Sequence, residues 1–419
     1  MSRDGSRVRT VPSDAARDAA RRIEAELREF ECNERGRLGI ADEPQWREAR
    51  TPIFTEDEKS RTTLFFGSLT ATHDALLEAG LKSHGYNAKA LPCPDNESLQ
   101  IGKEFGNRGQ CNPTYFTVGN LLRELIRLRD VEGLAVADIV ANHAFVTFSA
   151  CGPCRFGTYA TEYRKALRDA GFAGFRVIPL RQEAPDRAGD AAQSGLRPSL
   201  GLYLTFIRCV IVADIINLLG YRTRPYELDR GATDAAIARS IEHVRAALLE
   251  RRSVLRALRR VRREFAAIGV DRLQPKPKVA IIGEFWAMTT EGEGNYRLQR
   301  FLEQESAECD VQTIAGWILY VLWCIGHDIR ESTLLRRRAG EVDRYEGIIP
   351  RKGILYVWFS MKALATTFQL FARTAGLAGY RLPDIWETSR LAHDYYPPQL
   401  RGGEGHMEVG KVIHSALHR

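Results

Sequence analysis

The run Ala144-Phe-Val-Thr-Phe148 leads through Ser149-Ala-Cys151-Gly-Pro-Cys154-Arg155-Phe-Gly157-Thr into Tyr159–Ala170, and Phe175-Arg-Val-Ile-Pro-Leu180 follows. The first segment is short, apolar and rich in aromatic and β-branched residues. The second is marked by Gly and Pro, the third has helical spacing, and the fourth is strand-like again. The same alternation extends upstream. Thr62–Phe66 and Ala88–Leu91 read as strands, Ala71–Ser83 and residues 114–129 as helices, and Ala137–Val140 as a further strand. Strands alternating with helices predict a parallel α/β sheet.

Outward from this block the character changes. Residues 13–30 read as a polar helix in an N-terminal arm (1–60) that precedes the first α/β domain (61–182). Residues 199–268 are helical in pattern and form most of a helical insertion (183–275), which ends in the Arg-rich stretch Arg251–Arg263. The charges there alternate with Leu, Val and Phe, as on the solvated side of an amphipathic helix. After Pro275-Lys-Pro277, Lys278-Val-Ala-Ile-Ile-Gly-Glu-Phe-Trp286 reads as a buried strand. It opens a second α/β domain (276–419) with a helix at Leu298–Gln304, a strand at Asp310–Ile314 and a helix at Leu355–Thr374.

The 419 residues are 44% hydrophobic and 27% charged, which excludes collagenous and wholly disordered chains. Sixty Lys and Arg against 53 Asp and Glu leave a formal charge of +7 with no basic block, so no nucleic-acid partner is expected. No apolar leader is visible at Met1–Pro12. Leu200–Leu219 carries Arg208 and Asp214, and Val311–Ile325 is shorter than the roughly 20 residues of a membrane span. A cytoplasmic protein with no membrane contact is the expectation.

Eight cysteines in so long a chain are not a disulfide framework. Cys93, Cys111, Cys151 and Cys154 fall in loops marked by Pro or Gly, and such loops gather at the carboxyl edge of a parallel sheet, where ligands bind. A thiolate at Cys151 or Cys154 would face the start of a helix and Arg155, which favours metal ligation or thiol exchange. Cys-Gly-Pro-Cys is also the thioredoxin active-site tetrapeptide, although the pattern after Leu180 is not that of a thioredoxin fold. Metal ligands and a dithiol both stay open on spacing alone. Elsewhere, His143 is a candidate proton donor and Glu284, ending the Lys278 strand, a candidate carboxylate facing substrate. Arg224 and Glu227 read as an ion pair at a helix end.

Several of these segments resemble the activase-associated 2-hydroxyacyl-CoA dehydratase family. They are Gly102-Lys-Glu104 with Gly109-Gln-Cys111-Asn-Pro113 and Gly119-Asn-Leu-Leu, then Gly152-Pro-Cys154-Arg-Phe-Gly157-x-Tyr159. Further on come Arg224-Pro-Tyr-Glu227, Val279–Glu284 continuing to Asn295, and Gly402-Gly-Glu404-Gly405 with Val409-Gly410-Lys411. They occur in order from about residue 62 to residue 414.

The resemblance implies two flavodoxin-like parallel-sheet domains and an iron–sulfur cluster of the [4Fe-4S] or double-cubane type. Cys111 and Cys154 match the family's cysteines; Cys151 and Cys93 stand where the family often has other residues and are further candidate ligands by their loop positions, with Gly152, Arg155 and Gly157 around the cluster. It implies a separate ATP-hydrolysing activase, a second dehydratase-like subunit or a homodimer, and a CoA thioester substrate. The family's actin-like ATPase and its later Pro-Phe-x-Cys-Met-Pro segment have no counterpart here. The rival expectations are a thiol–disulfide oxidoreductase using Cys151 and Cys154, and a scaffold without the cluster.

Overall fold

The structure, a computed structural model, describes residues 14–39, 54–67, 69–149, 155–181, 195–196, 199–338, 348–398 and 404–417. The chain forms two compact units, residues 1–50 and 51–419. In the first, helix α1 (Asp14–Leu38) carries the ion pairs Glu31–Arg35 and Glu34–Arg37 one turn apart. Ile23, Leu27 and Phe30, at i, i+4 and i+7, form an exposed apolar stripe on it.

In the second unit the chain runs through β1 (Thr63–Phe66), α2 (Ala71–Ser83), β2 (Ala88–Ala90), α3 (Asn96–Phe105), α4 (Asn112–Asp130), α5 (Val136–Asn142), β3 (His143–Ser149), α6 (Tyr159–Asp169) and β4 (Arg176–Arg181). The four strands make one parallel sheet in the order β2-β1-β3-β4. Both faces are buried. Leu64 points into a cluster with Phe54, Tyr86 and Ala144, and its neighbour Phe65 points into one with Leu121, Leu125 and Phe145. The order reverses between β1 and β3, so the connections leaving these two strands diverge and open a crevice at the carboxyl edge.

Ala137–Val140, read above as a strand, lies in helix α5. Only Ile139 of that helix is buried, and Asp138 sits in its first turn, where a carboxylate favours a helix N-terminus. Four residues with two exposed side chains, Ala137 and Asp138, satisfy a short surface helix better than a strand buried on both faces.

Helices α7 (Leu200–Thr223), α8 (Ala232–Leu249) and α9 (Val254–Ala266) follow. In α9, Leu258, Val261 and Phe265 face the core and Arg259, Arg260, Arg262 and Arg263 face solvent, as the alternation predicts. The remaining elements are β5 (Lys278–Ile281), α10 (Phe285–Thr289), α11 (Leu298–Gln304), β6 (Glu308–Val311), α12 (Ile314–Arg338), α13 (Ile348–Thr374), α14 (Ile385–Ala392) and α15 (Gly405–Leu417). β5 and β6 form a parallel pair. The Lys278 strand is shorter than its apolar run: it ends at Ile281, because Glu284 accepts from the Ala287 amide and caps α10. The Asp310 strand likewise stops at Val311, and α12 starts at Ile314.

The second half of α7 is the central core element, and Asp214 is buried within it. Its carboxylate accepts from the Ile314 and Ala315 amides, 2.9 and 2.8 Å away, capping α12. His73 Nε2 of α2 lies 3.3 Å from the same group. Thr70 Oγ1 accepts from Asn217 Nδ2 and the His73 amide, so its own proton turns to His73 Nδ1. In the neutral ring, the remaining proton is then on Nε2, facing Asp214. This polar group ties α2, α7 and the β6–α12 turn together.

Candidate functional site

Cys111 is the N-cap residue of α4, with Pro113 in the first helical turn. Its sulfur lies 3.1 Å from Thr114 Oγ1 and 3.3 Å from Tyr159 Oη. Tyr159 opens α6 directly after the Arg155–Thr158 turn, and its buried ring packs edge-on against Phe156. Burial, the bond to Cys111 and the charge of Glu284 hold the Tyr159 phenol far above the usual tyrosine range. It keeps its proton. Both groups belong to the carboxyl side of the four-stranded sheet.

Glu284 approaches from the second parallel pair, at the carboxyl end of β5, held by the Ala287 amide at 2.8 Å. Its charge also reaches two carboxyls one turn apart at the start of α15. Glu404 is raised above the usual carboxylate range by burial first and Glu284 second, and Glu408 by the same two causes. Trp317 donates to Glu404. Phe116 of α4 packs against Trp286 of α10 at 5.3 Å between ring centres, joining the two sides. Four segments far apart in sequence are therefore drawn together: Cys111–Thr114 and Phe156–Tyr159 are in contact, and Glu284 lies within electrostatic reach of Tyr159 and of Glu404 and Glu408.

The candidate residues divide unequally. Cys93 follows β2 at the same sheet edge but serves another contact: its thiol donates to the Glu291 carbonyl at 2.7 Å. Desolvation, with Glu291, Asp74 and Asp95 nearby, pushes that thiol up to about 11. The turn that supplies this carbonyl also caps two helices, Glu291 at the Ala71 amide and Glu293 at the Asn96 amide. A cavity of about 230 Å³ opens between Cys93, Asp74, Glu78 and Arg245, and its walls include none of Cys111, Tyr159 or Glu284.

His143 is the first residue of the seven-residue strand β3, at the amino edge, opposite the Ser149 end. It stacks on Phe65 at 5.3 Å and bonds the Ile139 carbonyl, and burial lowers its imidazole pKa. Arg155 and Gly157 are exposed in the turn before Tyr159. Cys151, Gly152 and Cys154 lie outside the described residues. Arg224 and Glu227 do not pair with each other. Arg224 binds Asp234 and Glu303, while Glu227 accepts from the Gly231 and Thr233 amides and caps α8.

Among the described residues, no group of three or more His, Cys, Asp or Glu side chains is placed to hold a metal. Of the two described cysteines expected as ligands, Cys111 has the suitable chemistry: two hydroxyls within bonding distance of its sulfur, able to donate to a thiolate, and the positive end of a helix beside it. Cys93 does not, since surrounding carboxylates and a carbonyl acceptor favour the neutral thiol. Tyr159, Thr114, Glu404 and Glu408 were not singled out by sequence reasoning. Tyr159 and Glu404 stand in quoted motifs, but only their neighbours in space mark them.

No family model, no curated protein and no solved structure matches this chain.

Proposed function

We propose that this chain is the iron–sulfur component of an ATP-coupled 2-hydroxyacyl-CoA dehydratase or a related low-potential reductase system. On this reading its two parallel sheets belong to flavodoxin-like domains. One observation carries it. Of the segments that carry the resemblance, Cys111-Asn-Pro113 and Arg155-Phe-Gly157-x-Tyr159 touch through the Cys111–Tyr159 contact, the Phe116–Trp286 ring pair brings the Gly283-Glu284 turn beside them, and Glu284 is within electrostatic reach of Tyr159 and Glu404.

Cys111, with Cys151 and Cys154, would hold the cluster; Cys93 is left out of the ligand set. The bound cluster would supply electrons one at a time at low potential. The chain's residues set its surroundings. Tyr159, protonated and fixed by burial, donates to the Cys111 sulfur, a contact that tunes a ligand without binding metal. Phe116, Phe156 and Trp286 keep water away. Glu404 retains its proton to higher pH than an ordinary glutamate and suits the transfer of that proton to a leaving hydroxyl group. Glu284 stays anchored to the α10 amide, and its charge adds to burial in raising the Glu404 carboxyl.

Anaerobic purification from cells that assemble clusters well, with iron and sulfide analysis, tests the reading. A brown protein with matched iron and sulfide supports it. An iron-free protein with a titratable Cys151–Cys154 dithiol replaces it with the thiol–disulfide oxidoreductase.

A further inference from the structure

Helix α13 has two apolar faces. Val357, Leu364, Phe368 and Phe371 point into the core against α12, α7 and α9. Leu355, Tyr356 and Phe359 point outward, 62, 73 and 67% exposed, with Trp358 beside them. The segment Arg351–Thr374 is long and apolar enough to cross a membrane by length and composition, yet only 22% of its most apolar window is buried. By contrast, the corresponding window of α7 is 61% buried. The outward patch does not stop at α13. Tyr203 of α7 lies within electrostatic reach of Tyr356, and Leu200 and Leu204 are exposed on the same first turns of α7.

The charges on α13 itself are one-sided. From Ile348 to Thr374 the sequence contains Arg351, Lys352, Lys362 and Arg373 and no acidic residue. Arg351, Lys352 and Lys362 are exposed, and the Lys362 ammonium sits 6.0 Å over the Trp358 ring. A second copy docking face to face would set these cations against themselves, which disfavours a symmetric dimer. Exposed Trp, Tyr, Phe and Leu among Lys and Arg match the boundary of an anionic bilayer. There, rings settle at headgroup depth and basic side chains meet lipid phosphate and carboxylate.

We propose that the outward face of α13, continued by the first turns of α7, is a peripheral docking surface for an anionic lipid bilayer. The helix lies in the interface plane and does not cross it, because its other face is part of the core. This surface is independent of the redox reading.

The test is co-sedimentation of the full chain with extruded vesicles of phosphatidylcholine alone and of phosphatidylcholine containing phosphatidylserine. The expected result is binding to the anionic vesicles, weakened by salt. Trp358→Glu with Phe359→Glu, and separately Lys352→Glu with Lys362→Glu, should each lower binding about tenfold or more, with the thermal midpoint little changed. The charge pair leaves the apolar face intact, so it reads the surface even where the first variant folds poorly. Failure to bind anionic vesicles overturns the proposal. So does binding insensitive to both variants, or self-association in ultracentrifugation that Phe359→Glu abolishes without any vesicle binding.

Discussion

The sulfur of Cys111 lies 3.3 Å from the phenolic oxygen of Tyr159, joining the first turn of α4 to the first residue of α6. Removing that hydroxyl while keeping the ring isolates the contact. Tyr159→Phe is expected to weaken metal binding about tenfold, the lower end of what orienting partners of metal ligands contribute. Chelator competition under anaerobic conditions measures this, and an unchanged thermal midpoint shows that ring packing is kept.

The two described cysteines should respond differently. Cys111→Ala is expected to remove most of the bound iron, whereas Cys93→Ser is expected to leave it. The Cys93 thiol is committed to the Glu291 carbonyl and is pushed up to about 11. Iron and sulfide contents of the paired variants decide the matter. Equal losses would return Cys93 to the ligand set.

Glu404 gives a pH dependence whose sign is opposite to that of an ion-paired carboxylate. Its folded-state pKa is raised by burial and by Glu284, so between the unfolded and folded values the folded chain binds more protons than the unfolded one. Stability therefore falls as pH rises through that window, and the full cost is present above the folded value. Glu404→Gln should stabilise the protein near neutral pH and have little effect below the usual carboxylate range. Thermal midpoints of both proteins across pH should diverge as pH increases.

Asp214 holds two amides of α12 and faces His73 from a buried position. Asp214→Ala strips the helix of its cap and leaves the imidazole without its carboxylate. The expected cost is about 2 kcal/mol, the upper end for losing a helix cap. Urea unfolding gives the number.

Gly119 on α4 lies against the backbone of α3, where a Cβ would collide with the Ser98 carbonyl and the Gly102 amide. Backbone atoms cannot swing aside. Gly119→Ala is expected to cost about 1–3 kcal/mol, the usual effect of overpacking, read as a lower urea midpoint with an unchanged slope. This gives a packing reason for two glycines in the Gly102-Lys-Glu104 and Gly119-Asn-Leu-Leu segments.

The alternation of apolar strands with amphipathic helices determined the parallel sheet by itself, because period and turn residues are local properties. Thr62–Phe66, Ala71–Ser83 and Leu298–Gln304 were legible within a residue or so. Local pattern failed where capping competed with hydrophobicity. The Lys278 run ended early at the Glu284 cap, and Ala137–Val140 took up a surface helix. Its placement of the cysteines in loops was sound for Cys93 and Cys111, but a loop position does not say what a thiol touches. Only the tertiary structure decided that the Cys93 thiol bonds the Glu291 carbonyl while Cys111 meets Tyr159. It alone brought Glu404 to Glu284, sent His143 to the far edge of the sheet, and left one face of α13 bare. The physical reason is that contact between residues hundreds of positions apart depends on the order of strands and the packing of helices, which no window of sequence contains.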